Sequence, residues 1–296
     1  MGKLVLLCVV GGTVLSVSSG AKAALTTRVS ADAEALAAEL IGTATGLDAG
    51  ISTFTGGAHA AGFFAGGLAS GLGIESGVLL TSGSVSEAGG PNSHDASSCA
   101  YGLPGDATLS ALAGGEGTYD AAILEFDFTS VGGALLIRYV FASEEYNEFV
   151  YTGHDDIVGI FLDGEDIALV SGTSIPVSVD NVNGGGPGFG VNPSYPEFFH
   201  NNDLQNGGPF FDLAYDGFTD VFVAGVSALP PGSHHLKLAV ADVGDPHGDS
   251  AIFIESFSFT PLPSDSVATA VPVPTPASLV MAVLGSILVQ RGLRMG

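Results

Sequence analysis

The segment AILEFDFTSVGGALLIRYVFA (residues 122–142) contains two apolar runs with a glycine pair between them. Large apolar side chains occupy every second position in both runs: Leu124, Phe126 and Phe128 in the first, and Leu135, Ile137, Tyr139 and Phe141 in the second. Such alternation predicts two β-strands that each bury one face. The residues between them, 130–133, include two glycines and predict a hairpin turn that joins the strands.

Six further runs of similar length are separated by glycine-rich segments, which is typical of an all-β fold. They span residues 78–85, 157–162, 175–182, 219–226, 236–243 and 251–259. Pro230, Pro231 and Gly232 are expected to introduce the strand that begins near Leu236. Strands of this number and spacing predict a mostly β protein, a jelly-roll-like antiparallel β-sandwich.

One segment has helical rather than β periodicity. Residues 31–41, ADAEALAAELI, predict one short N-terminal helix, with Ser30 as its N-cap and Gly42 at its end. Residues 184–209 are rich in Gly, Asn and Pro and predict a long surface loop.

The ends of the chain predict export. Lys3, an apolar run over residues 4–15 and the small-x-small site Ala21-Lys22-Ala23 form a secretory signal peptide that is cleaved after Ala23. Cys8 leaves with this leader, so Cys99 has no intramolecular partner. The fold must therefore depend on its core and on bound ions instead of a disulfide. We interpret Cys99 as a small, partly buried residue; the alternative is a disulfide-linked dimer.

The C-terminus combines Pro274-Thr275-Pro276, an uncharged apolar run over residues 277–289, and then Arg291 and Arg294. The run is shorter than the roughly 20 residues that span a membrane comfortably. The arrangement resembles the PEP-CTERM sorting signal, in which Pro-Glu-Pro is the more usual motif. The resemblance implies a transient membrane contact and removal by an exosortase-type processing enzyme. The alternatives are a permanent anchor and a helix packed on the domain.

The chain is strongly acidic, with 31 Asp and Glu residues against seven Lys and Arg, a net charge of −24. Only Arg28, Arg138 and Lys237 are basic between the leader and the tail, so three basic against 31 acidic residues leave −28 in the body. A field of this sign repels nucleic acid and anionic surfaces and attracts cations. The charge excludes nucleic-acid binding.

Two groups of acids follow or precede predicted strands. The first contains Glu144, Glu145, Asp155 and Asp156, and the second contains Asp242, Asp245 and Asp249. Carboxylates in turns next to strand ends supply the hard oxygen ligands that Ca²⁺ takes in sets of 6 to 8. Neither group has the spacing of an EF-hand loop. We therefore predict bound calcium from charge and placement; the alternative is that these acids are solvated or cap turns.

Several motifs in sequence order resemble the choice-of-anchor L domain of exported bacterial proteins. They are ALAAELIG (35–42), TFTG (53–56), GIESGVLLTSGSV (73–85), GGPN (89–92), FASEEYNEFV (141–150), SVDNVN (178–183) and AVADVGDPHGDSAIFIESF (239–257). The resemblance covers residues 33–260. It implies a secreted, surface-retained β-rich domain with no assigned reaction, and it makes Glu144, Glu145, Asp156, Asp242, Asp245 and Asp249 motif acids.

These observations divide the chain into a signal peptide (1–23), a choice-of-anchor L-like β-sandwich domain (24–262), a proline-rich spacer (263–276) and an apolar sorting or anchoring segment (277–296). We expect a non-catalytic protein of the cell envelope, cell surface or extracellular matrix that binds a glycan or a partner protein. Glu144 and Glu145 are consecutive, so on a strand they cannot both reach one glycosidic bond. No zinc-type histidine spacing and no G-x-S-x-G motif occurs. The alternative function is a secreted calcium-dependent polysaccharide hydrolase.

The tail generates a first testable prediction. If Arg291 and Arg294 act as a cytoplasmic stop, replacing both with neutral residues should leave the precursor unprocessed or release it into the medium. The mass and the cellular fraction of the mature protein report the outcome. A variant with the mass and location of the wild type would contradict a sorting role.

Overall fold

The computed structural model describes residues 24–262, so the predicted leader and the predicted sorting residues Pro274, Thr275, Pro276, Arg291 and Arg294 lie outside the described part. The strands are β1 (Thr26–Val29), β2 (Leu47–Thr55), β3 (Ala61–Ala65), β4 (Ser76–Thr81), β5 (Thr118–Ser143), β6 (Ile157–Leu162), β7 (Glu165–Asp166), β8 (Phe199–Asn201), β9 (Gly217–Thr219), β10 (Phe222–Val243), β11 (Ser250–Glu255) and β12 (Ser258–Pro261). The helices are α1 (Ala33–Ile41), α2 (Gly67–Ser70) and α3 (Ala107–Leu112).

Two very long strands form the centre of the molecule. β5 has 26 residues and β10 has 22, and they pair antiparallel from Thr118 opposite Val243 to Tyr139 opposite Phe222. The predicted hairpin turn at residues 130–133 is therefore wrong, because the chain continues through it as one strand. The predicted strand start after Pro230, Pro231 and Gly232 is also wrong, since these residues lie within β10.

The glycines and prolines bend the strand pair instead of ending its strands. Val131 lies opposite Pro231 and Ser130 lies opposite Gly232, so the two irregular segments face each other. Gly132 and Gly232 both have positive φ, at 92° and 134°. A side chain with a Cβ adopts such angles only at a cost, so these glycines permit both strands to bend at the same level.

The bend places the two halves of the strand pair in two layers. The first half of β5 pairs with β2 and with the second half of β10, which continues to β6 and β7. The second half of β5 pairs with β11, which continues through β4 and β3 to β1. Inward side chains from both halves share one core: Leu124, Phe126, Phe128, Leu135, Ile137, Tyr139 and Phe141. The prediction of a mostly β, antiparallel sandwich is confirmed.

The predicted N-terminal helix is present as α1 and buries Leu36 and Leu40 in this core. Its N-cap is Asp32 instead of Ser30, because the Asp32 carboxylate accepts a hydrogen bond from the Ala35 N–H at 3.1 Å. Gly42 ends the helix as predicted, with φ of 54°. Among residues 24–262, no helix is long and apolar enough to span a membrane.

Other elements differ from the predictions. Helices α2 and α3 were not predicted. The N-cap of α3 is Asp106, whose carboxylate accepts hydrogen bonds from the Thr108 and Leu109 N–H groups. The predicted strand over residues 175–182 is irregular and makes only isolated bridges. The run 219–226 is interrupted between β9 and β10. Short apolar runs can be strand or loop because their burial depends on tertiary neighbours.

The bend generates a second prediction. We expect Gly132→Ala to lower the free energy of unfolding by about 1–3 kcal/mol, the usual cost of a non-glycine residue in an unfavourable backbone region. A Cβ on Gly132 would also lie 3.2 Å from Pro231 Cδ. The matched control is Gly117→Ala, since Gly117 does not have positive φ and its nearest heavy atom would be 3.7 Å away. Denaturant unfolding of both variants measures the difference; equal losses would contradict the role of Gly132 in the bend.

Candidate metal centre

Five strand ends meet at one end of the sandwich. β5 ends at Ser143, which lies opposite Ser250 at the start of β11. β10 ends at Val243, two residues after Ala241, which lies opposite Ile157 at the start of the paired strand β6. β4 ends at Thr81, opposite Ala251. The acids that follow or precede these ends in the sequence are therefore brought together in space, and the two predicted acid groups converge.

Glu145, Asp156 and Asp242 form the centre of this convergence. Their relative exposures are 3%, 0% and 0%, and each lies close enough to another of the three for their charges to interact. Burial is the main cause that raises the pKa of Glu145 to about 9, with a contribution from Asp245. Burial and the neighbouring Glu145 raise the pKa of Asp156 well above its ordinary value, and burial and Asp156 do the same for Asp242.

Asp242 differs from its neighbours in its hydrogen bonding. Asp156 accepts hydrogen bonds from the Val243 N–H at 2.8 Å and from the Ser250 hydroxyl at 2.7 Å. Both carboxylate oxygens of Asp242 are buried and have no hydrogen-bond partner among the described residues. The Ser82 hydroxyl lies close enough to Asp242 to oppose, in part, the rise in pKa that burial and Asp156 cause. Its single hydrogen is nevertheless directed to the Ser250 carbonyl at 3.3 Å, and its oxygen accepts from the Ser250 N–H at 2.9 Å. Asp242 is thus a buried acid without a donor, a costly arrangement.

No Lys or Arg within residues 24–262 contacts this group. Arg138 bonds to Glu255 at 2.5 Å, and Lys237 bonds to Asp106 at 2.7 Å. The Arg28 guanidinium lies 4.1 Å above the centre of the Phe63 ring. The described basic side chains are therefore engaged elsewhere, and the three acids have no basic counter-charge.

The remaining predicted ligands have different surroundings. Asp155 accepts a hydrogen bond from the Asp180 N–H at 2.7 Å, and Asp249 accepts from the Cys99 N–H at 3.0 and 2.9 Å to its two oxygens. Burial raises the pKa of both carboxyls to about 6. Because backbone donors bind these carboxylates, Asp155 and Asp249 hold turns in place.

Asp245 and Glu144 lie at the margins of the group. Asp245 is half-buried, with an Oδ2 that is 3.5 Å from His154 Nδ1. Glu144 is buried and faces Asp216, so it belongs to different surroundings from Glu145. The structure therefore brings together Glu145, Asp156 and Asp242 and places Asp245 beside them. Asp155 and Asp249 lie near enough for their charges to act on this group, but their carboxylates accept from backbone N–H groups, and Glu144 faces Asp216.

Sequence reasoning missed a second group of acids. Carboxylate oxygens of Asp95, Asp203 and Asp216 all lie within 4.8 Å of one another. Asp203 and Asp216 lie at the two ends of the connection between β8 and β9, whereas Asp95 comes from a distant part of the sequence. Asp203 also lies in the stretch over residues 184–209 that was predicted only as a loop. The sequence signal that could have indicated it is the density of Asn and Asp in NNDLQN (201–206).

The chain was compared with curated proteins, with solved structures and with family profiles. No curated protein matches the chain. A solved structure, titled as the structure of a family 35 carbohydrate binding module from an environmental isolate, aligns with 60% of this chain and 93% of that chain at 12% identity. Its TM-score of 0.19 supports no conclusion.

The profile of the Choice-of-anchor L domain matches residues 25–260, which include all the strands of the sandwich except the last residue of β12. The acid groups at the strand ends lie inside this match. The chain therefore belongs to the Choice-of-anchor L domain family.

Proposed function

We propose that this protein is an exported, surface-associated binding protein without catalytic activity, and that Ca²⁺ stabilises its acid-rich end. Membership of the Choice-of-anchor L family supports a surface-associated or exported location. In this proposal the ligand is an extracellular glycan or protein. The C-terminal tail makes membrane contact until an exosortase-type enzyme removes it.

The observation that carries the calcium proposal is the unpartnered carboxylate of Asp242. A buried carboxylate without donors or a counter-charge is either protonated or bound to a cation. Asp242 offers two free oxygens, and Glu145 Oε2 is also buried without a partner. Asp242 and Glu145 would hold the ion, while Asp156 adds charge beside them. All of these donors are hard oxygens, which suit Ca²⁺.

Burial of the same acids supports a non-catalytic role. A general acid or nucleophile must reach the bond that it cleaves, and in glycoside hydrolysis two carboxyl groups face the substrate. Glu144, Glu145, Asp156 and Asp242 all have relative exposures of 3% or less. Burial is the largest cause of the raised pKa of these residues, which supports a structural role for them.

Incubation of the mature protein with a glycan panel tests the functional class. Saturable binding with unchanged glycan chain lengths supports the binding role. Calcium-dependent release of reducing ends would contradict it and favour a secreted polysaccharide hydrolase.

A third prediction concerns thermal stability. Calcium at a hundredfold excess over its Kd should stabilise the fold by about 2.7 kcal/mol, which is roughly 5–10 °C for a domain of this size. Asp242→Asn should reduce this increase. It should also stabilise the calcium-free protein at neutral pH, because it removes a buried acid without a partner. Melts in calcium and in chelator measure both effects.

The matched control for that experiment is Asp48→Asn, which removes the same charge from an exposed position on β2. This variant should keep the calcium response of the wild type. An Asp242→Asn variant whose melting temperature responds to calcium as fully as the control would show that Asp242 is not a ligand.

A fourth prediction concerns the pH dependence of stability and the protons that calcium binding releases. Because folding raises the pKa of Glu145, Asp156 and Asp242, the folded metal-free protein holds protons that the unfolded chain releases above pH 4 or so. The free energy of unfolding in chelator should therefore fall as the pH rises from about 4 towards about 9. Calcium requires the deprotonated acids, so its binding near pH 7 should release protons.

Calorimetric titration in two buffers with different ionisation enthalpies measures this proton release. The apparent enthalpy of calcium binding should differ between the buffers in the wild type and in Asp48→Asn. Equal enthalpies in both buffers would mean that calcium does not displace protons from the buried acids.

A further inference from the structure

Asp95, Asp203 and Asp216 form an acid group at a different place from Asp242. Asp203 and Asp216 are fully buried, whereas Asp95 is exposed. Their carboxylate oxygens lie within 4.8 Å of one another. In the sequence, Asp95 is more than 100 positions from both of the other residues. Like charges at this separation repel strongly where water is excluded.

The hydrogen bonds of the two buried members come from neutral donors. Asp216 accepts from Asn92 Nδ2 at 2.5 Å and from the Ala96 N–H at 3.3 Å. Asp203 accepts from the Gln205 N–H at 2.6 Å and from Asn147 Nδ2 at 3.2 Å. These donors orient the carboxylates, but they leave the summed negative charge uncompensated. Each oxygen also keeps a lone pair for a further ligand.

One buried side chain independently indicates a missing ligand here. Glu144 has a relative exposure of 2%, its carboxyl lies against that of Asp216, and its Oε2 has no donor among the described residues. Asn147, which is fully buried, is one of the donors that orient the group, because its Nδ2 lies within hydrogen-bond distance of Asp203, Asn201 and Asn206. Buried polar atoms are nearly always satisfied, so the unsatisfied Glu144 oxygen against Asp216 points to a cation.

We propose that Asp95, Asp203 and Asp216 bind a Ca²⁺ ion, with Glu144 as a further acidic neighbour. The group contains only oxygen ligands, without the nitrogen or sulfur that zinc prefers. Its members come from two loops, with Asp95 in one and with Asp203 and Asp216 in the connection between β8 and β9. This arrangement suits the variable coordination of calcium better than the strict octahedron of Mg²⁺. The calcium site proposed above, formed by Asp242 and Glu145 with Asp156 beside them, is called the Asp242 centre. The present site shares no residue with the Asp242 centre, so either proposal can fail without the other.

The geometry also gives the ion a route to solvent. Asp95 and Asn92 line a cleft of about 500 Å³, together with Pro91 and Ser97. A cation held by exposed Asp95 and buried Asp203 and Asp216 would lie at the edge of this cleft. It would connect the loop around residues 91–98 to the loop that ends at β9, two segments with little regular structure of their own.

Calcium stoichiometry, measured by calorimetry on the mature protein with Ca²⁺ alone, tests the proposal. We expect the wild type to bind two ions. Asp95→Asn and Asp203→Asn should each weaken one of them by at least about tenfold, by analogy with changes at metal centres. The matched control is Asp212→Asn, which removes the same charge from the loop that carries Asp216, and it should bind both ions normally.

The variants separate this site from the Asp242 centre. Loss of one ion in Asp95→Asn, with the other ion lost only in Asp242→Asn, supports two sites. Loss in Asp95→Asn alone would support the present site and contradict the Asp242 centre. Wild-type binding in Asp95→Asn overturns the present proposal, whatever Asp242→Asn does. Because Asp95 is exposed, this variant decides the question even if Asp203→Asn fails to fold.

Discussion

The pairing of β5 with β10 along almost their whole length is the interaction on which the rest of the structure depends. Each long strand contributes one half to each layer, so a single ladder of hydrogen bonds fixes the register of both sheets. The bend near Gly132 and Pro231 sets how the layers face each other. A shift of one residue in this register would turn Leu124, Phe126 and Phe128 out of the core. The hydrophobic core and the ladder therefore specify the same arrangement.

The same pairing explains why acids gather at one end. Val243 lies opposite Thr118 where β10 ends, and β11 returns beside Ser143 where β5 ends. Acids at or next to these strand ends are then enclosed by neighbouring segments, as the complete burial of Asp156 and Asp242 shows. A body with 31 acids and three Lys or Arg residues cannot supply a basic partner to each of them. Repulsion among the acids at this end of the sandwich therefore follows from the acidic composition and the strand topology together.

Part of this arrangement was predictable from local sequence. Alternation in residues 124–128 and 135–141 predicted strands because period-two burial is a local property. Gly132 and Pro231 were misread, since a glycine or proline marks an irregular backbone without distinguishing a bend in a paired strand from a turn. Placement beside strand ends marked Glu145 and Asp156 in one group of acids and Asp242 in another, and only the fold shows that these two groups meet. Placement could not reveal that backbone N–H groups bind Asp155 and Asp249, or that Asp95 meets Asp216 across 121 positions of sequence.

The two acid groups are linked by the segment that follows β5. Glu144 and Glu145 directly follow the last residue of β5, and Glu144 faces Asp216 whereas Glu145 faces Asp245 and Asp242. The backbone between the groups is fixed by two hydrogen bonds, from the Glu144 N–H to the Asp249 carbonyl at 3.1 Å and from the Glu145 N–H to Ser143 Oγ at 2.9 Å. Any ligand that orders one of these glutamates also restricts the other. The position at which β5 ends therefore determines both groups at once.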